Sequence, residues 1–571
     1  MSSSSSALAG DIRKTGGGAP SVPEGGMKLF DPSEEGKLGG TSDLMDRLSK
    51  GADFTAPAAA APAAAEAPVA AAAAPSGGEM PAPGFDTISL HGGYKPDTDV
   101  SYGMGYGAPR GVPLYRTTPY VFRNSEHAAN LFALKELGNI YSRLMNPTNH
   151  VLEARYSLLE GGHEMAGLSV ASGTNAIFYA IATLAQAGDN IVSSSQLYGG
   201  TYTYVPCHRS FLVSFVDLLF SHLVTLQTKQ VLVRGFYLFL TLSILFLLVW
   251  KPISMFDELL PKFGIEVRFV DGTDPANFAK VVDDKTRAFF TEGCSNPSLD
   301  VFDIEKIANE AHAIGLPLIV DSTFSTPYLC KPLEYGADII ATSATKWVGG
   351  HGTGIAGIIV DGGKFNWGAG KHPLFDQPDN SYGGLRWGHD LPDSLQPLAF
   401  KLRALTCNLR NLGGCLSPDN AWIMLQGIET LSLRMDRHCE NSLKVAQYLQ
   451  KHPKVAWVRY PGLPDDRAYE LNKKYLKGKG GGIVVFGIKS DNAKEAGQKF
   501  IDSMQLFSHV ANVGDARSLC IHPASTTHSQ LSEEQLRAAG VAPDLVRLSV
   551  GIESIEDIIA DLEQGLAKAT A

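Results

Sequence analysis

The chain is 571 residues long, with a formal net charge of −10, 44% apolar residues, 19% charged residues and 59 glycines. That size admits at least one large core, and the balance is that of a soluble α/β protein, which argues against a basic nucleic-acid binder. Seven cysteines form no C-x-x-C pair and leave one over, which argues against a disulfide framework or a metal site and for a reducing, cytoplasmic setting.

Residues 1–84 read as a low-complexity extension. Met1 to Pro20 is rich in Ser, Gly and Ala, with Asp11 its only acid, and lacks the apolar core of a secretory signal. A plastid or mitochondrial transit peptide is the alternative to a cytoplasmic chain. The Ala and Pro run from Ala56 to Ala74 reads as a linker or tail. Ser42 to Lys50 is a candidate docking helix through Leu44 and Leu48, marginal on its own.

From about Thr87 the composition becomes globular. Apolar runs at Leu168–Ala171, Ile191–Ser193, Val267–Val270, Ala288–Thr291, Leu316–Val320, Ile339–Thr342 and Ile355–Val360 read as buried strands between helical patterns. This alternation predicts a mostly parallel sheet with helices on both faces. Beyond about residue 405 the spacing predicts helices over Asn420–Glu429 and Leu433–His452. A smaller sheet with Val455–Arg459 and Gly482–Ile488 should follow, closed by a helix from Ile555, which together make a second α/β domain.

One segment interrupts this pattern. Residues 204–254 contain few charges, and 231–250 form an apolar stretch long enough to span a bilayer, although Arg234 and Gly235 fall inside it. A span here would put the halves of one catalytic domain on opposite sides of a membrane. Removing the segment joins GGTYT to MFDELLPKFGIEV, a helix leading into the next strand. The segment therefore reads as a retained intron or a lineage-specific insertion rather than a membrane anchor.

The chemistry centres on ADIIATSATKWVGGHGTG, where a buried strand ends in Ser343, Thr345 and Lys346 and enters a glycine-rich loop. Desolvation at such a position lowers a lysine pKa and makes it a competent Schiff-base amine, while the two hydroxyls can bind a phosphate. Alone, a lysine reads as a solvated surface group. In GLPLIVDSTF, Asp321 follows a run of buried aliphatics, where a carboxylate can pair with a pyridine nitrogen; an ordinary helix N-cap is the plain alternative. LSVAS leads through Gly173 and Thr174 into a helical run, and helix N-termini bind anions. SSSQLYGG places Tyr198 after a strand, suited to stacking on a flat cofactor or simply to core packing.

These segments resemble the pyridoxal-phosphate enzymes of cysteine and methionine metabolism, the cystathionine gamma-synthase and O-acetylhomoserine sulfhydrylase family, from about residue 85 to 571. The resemblance implies the fold type I of PLP-dependent transferases, aspartate-aminotransferase-like. It divides the chain into an arm at 85–145 that contacts a neighbouring subunit, a PLP-binding domain at 146–404 and a C-terminal domain at 405–571. It also implies that Lys346 carries pyridoxal 5'-phosphate, that Asp321 holds the ring nitrogen, and that Tyr198 stacks on the ring and can act as a second acid or base. Gly173, Thr174, Ser343 and Thr345 would hold the phosphate, and Asn296 would contact the ring hydroxyl. Tyr141 and Arg143 in YSRLMNPT would reach the phosphate of a neighbouring subunit, so a homodimer, commonly paired into a tetramer, is implied. Arg547 in VRLSVGIE would bind the substrate carboxylate as a planar bidentate donor, although by itself it reads as a strand-edge surface charge. Two departures stand out: Thr174, where methionine or glutamine is usual, and Thr342, where histidine commonly precedes the serine.

The C-terminal half, with NLGGCLSPDNAWIMLQGIETLSLRMDRH and ANVGDARSLCIHPASTTHSQL, resembles the O-acetylhomoserine sulfhydrylase branch. It implies γ-replacement on O-acetyl-L-homoserine by sulfide or a thiol, with Asn512 lining the substrate pocket. A cystathionine gamma-synthase or a γ-lyase would use the same residues. An inactive, membrane-tethered relic would instead have lost catalytic residues, and none is lost.

Overall fold

The computed structural model describes residues 82–96, 109–133, 135–136, 138–197, 255–527, 529 and 541–570. The expected extension up to residue 81, the helix expected at 42–50, Tyr198 and the apolar segment at 204–254 lie outside them. Among the described residues no helix is long and apolar enough to cross a membrane.

Helix α1 (Phe85–His91) opens the described chain. Its Phe85 and Ile88 pack on the main core, and Arg155 donates to the Gly92 carbonyl at 2.9 Å, so this part of the expected arm is anchored on its own subunit. Helix α2 (Pro147–Glu160) starts where sequence rules place a start. The Asn146 side chain caps the Thr148 amide, Pro147 takes the first turn, and Gly161 ends the helix in the left-handed region at φ 84°.

Seven strands follow: β1 (Gly167–Val170), β2 (Asn190–Ser194), β3 (Glu266–Val270), β4 (Thr286–Glu292), β5 (Leu318–Asp321), β6 (Ile339–Thr342) and β7 (Gly357–Asp361). They form one sheet in the order β1-β7-β6-β5-β4-β2-β3. Strand β7 runs antiparallel to β1 and β6, and every other pairing is parallel. Strands β1, β2, β4, β6 and β7 are buried at every residue, which is why each carries a short apolar stretch, as in the AFF of β4 and the II of β6 and β7. Edge strand β3 differs: Glu266 is exposed and Arg268 pairs with Glu266 and Asp283, charges that protect an edge. The segment before β3 departs from the continuous helix expected there. It is a five-residue π turn, Met255–Leu259, and a three-residue helix, Leu260–Lys262. Pro261 has no amide hydrogen to continue an α ladder, and Gly264 ends the turn at φ 79°.

Helix α3 (Gly173–Leu184) follows β1 and α4 (Ile304–Ala313) precedes β5. Helices α5 (Pro418–Glu429) and α6 (Leu431–Lys451) lead to the second sheet. Its strands are β8 (Val455–Arg459), β9 (Ile483–Ile488), β10 (Ser508–His509), β11 (Leu519–Ile521) and β12 (Leu545–Ser549), in the order β10-β11-β12-β9-β8. Helix α7 (Ala493–Ser503) lies between β9 and β10, and α8 (Ile555–Ala569) closes the chain. Successive residues of β9 and β12 alternate between two cores. Ile483, Val485 and Leu545 join the core of the large sheet, while Val484, Phe486, Val546 and Leu548 pack with Phe500, Ile558 and Leu562. Each fully buried aliphatic or phenylalanine side chain contributes about 1.5–3 kcal/mol, so both faces of the small sheet are held firmly. Arg547 shares the face of Leu545 and therefore looks toward the large sheet.

Candidate active site

Because β7 reverses twice, β1 and β6 point the same way, and the carboxyl ends of β1, β4, β5 and β6 meet along one edge of the large sheet. Open α/β sheets bind ligands at that edge. A cavity of about 220 Å³ lies there, walled on one side by groups that end those strands and on the other by Ala511–Val513 and Arg547 of the small sheet.

Lys346 sits one tight turn past β6, its amide donating to the Ser343 carbonyl at 3.2 Å. Its Nζ donates to Asn512 Oδ1 at 2.6 Å. Burial, and secondly the positive charge of Arg547, pull its pKa from 10.5 down to about 8, so the amine is readily neutral. Arg547 donates to Asn296 Oδ1 at 3.1 Å and to the Asn512 carbonyl at 3.2 Å. It lies on β12, paired on one side with β11 and on the other with β9, so it is not a strand-edge surface charge. Asn296, Asn512, Arg547 and Lys346 thus form one hydrogen-bonded chain across the cavity.

The loop beyond Lys346 is clamped from behind. Buried Arg434 on α6 donates to the carbonyls of Trp347 at 2.7 Å, Val348 at 3.2 Å and Gly427 at 2.6 Å. Gly514, at φ 78°, lets the opposite loop come close: a Cβ there would stand 2.9 Å from the Lys346 carbonyl carbon and 2.6 Å from the Trp347 nitrogen.

Asp321 ends β5. Thr323 donates to its Oδ1 from the amide at 2.9 Å and from the hydroxyl at 2.6 Å, so Asp321 closes a local turn and caps no helix. Burial raises the Asp321 pKa and the Thr323 bonds oppose that rise. At the end of β1, the Ser172 hydroxyl caps α3 by accepting from the Asn175 amide at 3.2 Å. Gly173 packs so closely on the Lys346 loop that a Cβ would lie 2.4 Å from Ser343 Cβ. The Thr345 hydroxyl is tied to the Ala356 backbone, donating at 3.2 Å and accepting at 3.0 Å.

Gly173, Thr174, Asn296, Asp321, Ser343, Thr345, Lys346, Asn512 and Arg547 all line this one cavity. Tyr141 and Arg143 do not: Tyr141 is 42% exposed, bridges Pro119 and carries the Arg143 guanidinium 5.4 Å from its ring centre. Thr323, Arg434 and Gly514 are additional residues that shape the site. Thr323 carries a local signal, the Asp-x-Thr turn, whereas Arg434 reads as one more charge on an amphipathic helix. Among the described residues no group of His, Cys, Asp and Glu could hold a metal ion. Pyridoxal phosphate suits the donor set. A lysine amine whose pKa is lowered to about 8 stands in the cavity, a buried carboxylate has one oxygen unused by Thr323, and a capped helix start lies where Gly173 leaves no room for a side chain.

Residues 86–226 and 250–567 match the family described as Cys/Met metabolism PLP-dependent enzyme, with 227–249 unmatched inside the expected insertion. The chain is 48% identical over 499 residues to an O-acetyl-L-homoserine sulfhydrylase of Leptospira meyeri, covering 86% of this chain and 99% of that one. It is 46% identical over 486 residues to O-acetyl-L-homoserine sulfhydrylase 1 of Thermus thermophilus, covering 85% and 100%. A crystal structure from Campylobacter jejuni, provisionally named an O-acetylhomoserine (thiol)-lyase and containing N'-pyridoxyl-lysine-5'-monophosphate, superposes with a TM-score of 0.70 at 38% identity, covering 84% of this chain and 99% of that one. At this identity and coverage the chain belongs to the Cys/Met metabolism family of PLP-dependent enzymes and has their fold type I architecture.

Proposed function

We propose that the enzyme replaces the acetate of O-acetyl-L-homoserine with sulfide, or with a thiol, to give homocysteine or methionine. The observation that carries this reading is the joining of Lys346, Asn512, Arg547 and Asn296 in one cavity of a chain 48% identical to a named O-acetyl-L-homoserine sulfhydrylase.

Asp321 would meet the cofactor ring nitrogen, Asn296 its ring hydroxyl, and Gly173, Thr174, Ser343 and Thr345 its phosphate. Tyr198 would stack on the ring. Bound there, pyridoxal phosphate supplies an electron sink for negative charge on the carbon next to the substrate amine. Arg547 takes the substrate carboxylate in a bidentate grip, its fork already aimed by Asn296 and the Asn512 carbonyl. Lys346, whose buried amine gives up its proton more readily than a solvated lysine, removes the Cα proton and then manages protons at Cβ while acetate leaves Cγ and sulfide adds there. Asn512 Oδ1, already bonded to Lys346 Nζ, keeps the amine aimed into the cavity.

Tyr141 and Arg143 stand outside their own cavity with Tyr141 partly exposed, which supports their serving a neighbouring subunit in a homodimer. The described cysteines are free, which supports a reducing, cytoplasmic setting. The test is incubation of the purified holoenzyme with O-acetyl-L-homoserine, with and without sulfide. Homocysteine and acetate formed only with sulfide are expected, along with loss of activity in Lys346→Ala. A keto acid and ammonia formed without sulfide would sink the replacement reading in favour of elimination.

A further inference from the structure

Thr323 stands between the two halves of the cofactor wall. Its amide and hydroxyl both reach Asp321 Oδ1, at 2.9 and 2.6 Å, and its hydroxyl oxygen also lies 2.9 Å from the Ser343 amide nitrogen. An amide can only donate, so Ser343 N–H must occupy a lone pair of that hydroxyl, and the single hydroxyl hydrogen must point at Asp321. The two anchors of this relay are fixed. The Ser322 amide ties the turn to the Ala341 carbonyl at 3.0 Å, and buried Tyr156 holds Thr342, one residue before Ser343, through a 3.0 Å hydrogen bond. The relay thus joins the end of β5 to the loop that carries Lys346.

We infer that Thr323 is a positioning residue that holds the Asp321 carboxylate toward the cofactor ring nitrogen and locks it in register with the Ser343–Lys346 loop. This rests on the role proposed above for Asp321. Valine at 323 would keep the shape and the amide bond but break both the second bond to Asp321 and the bond from Ser343.

The test uses full-length protein stripped of cofactor and titrated with pyridoxal phosphate, and separately with its 1-deaza analogue, which lacks the ring nitrogen. Thr323→Val should weaken pyridoxal phosphate by about ten- to a hundredfold, the loss expected for a hydrogen bond to a charged group, and should weaken the analogue, which feels only the loss of the Ser343 bond, clearly less. Thr323→Ser, which keeps the hydroxyl, should restore affinity to within about threefold. Equal weakening for both ligands, or a serine variant as poor as the valine variant, would show that the residue only fills space and would overturn the inference. Should Thr323→Val unfold, Thr323→Ala takes its place under the same criteria. Asp321→Ala separates the two failures. If it weakens pyridoxal phosphate while Thr323→Val does not, Thr323 alone is misassigned; if it has no effect, the Asp321 assignment falls and the inference with it.

Discussion

Replacing Arg547 with methionine should make Lys346 more basic, and by a bounded amount. The Lys346 amine falls from 10.5 to about 8, with burial the larger cause and the Arg547 charge the second. Methionine is long enough to keep the cavity wall covered while deleting the charge, so burial persists. Less than half of the fall should therefore return, and the midpoint is expected to rise to no more than roughly 9, a difference of under about 1.7 kcal/mol at 1.36 kcal/mol per pH unit. Neutral amine at pH 7 would then drop by less than about twentyfold. Arg547→Lys keeps the charge and should hold the midpoint near 8. The assay is the pH dependence of acylation of Lys346 in cofactor-free protein, read by peptide mass spectrometry. An unaltered-protein midpoint near 10.5, or a methionine variant whose midpoint stays put or falls, would refute the electrostatic account of this lysine.

Two further perturbations probe the scaffold. Gly173→Ala puts a methyl 2.4 Å from Ser343 Cβ and 2.8 Å from its Cα, so thermal denaturation should show a loss of about 1–3 kcal/mol, and an unchanged melting temperature would contradict this packing. Glu160 is fully buried, and burial raises its pKa to about 8, above the roughly 4.3 of an unfolded glutamate. Between those values the unfolded chain has released the proton and the folded one has kept it, so stability must fall as pH rises through the window. Glu160→Gln removes that penalty. Urea denaturation at about pH 5 and about pH 8 should show the variant gaining on the parent as pH rises, and a constant difference would refute the assignment.

Much of the fold is legible because strands buried on both faces carry apolar centres, as in the AFF of β4 and the LIV of β5. The break at Met255–Lys262 is not, because the apolar spacing of MFDELLPKF suits a helix and only the proline hints at the interruption. Site residues divide the same way. Lys346 and Asp321 stand just past apolar runs, and the motifs around them, through the family resemblance, single them out. Arg434 acts on Trp347, 87 residues away, and Arg547 on Asn296, 251 residues away. No local pattern encodes such distances, so Arg434 passes for surface charge until α6 is packed against the Lys346 loop. Gly514 is one of many glycines until the loop it serves is seen to touch another backbone.

The two walls of the cavity also divide what selection can alter. The cavity groups assigned to the cofactor come from 173–346, whereas those assigned to the substrate lie at Asn512, in the loop between β10 and β11, and at Arg547 on β12. A lineage could exchange one nucleophile or leaving group for another by drift at Ala511–Val513 while the machinery shared by every such reaction stays untouched. Gly514 marks the limit of that freedom, since any side chain there would collide with the backbone of Lys346 and Trp347. Variation on the substrate side of the wall therefore meets a boundary at Gly514, where a side chain would force the Lys346 loop to move.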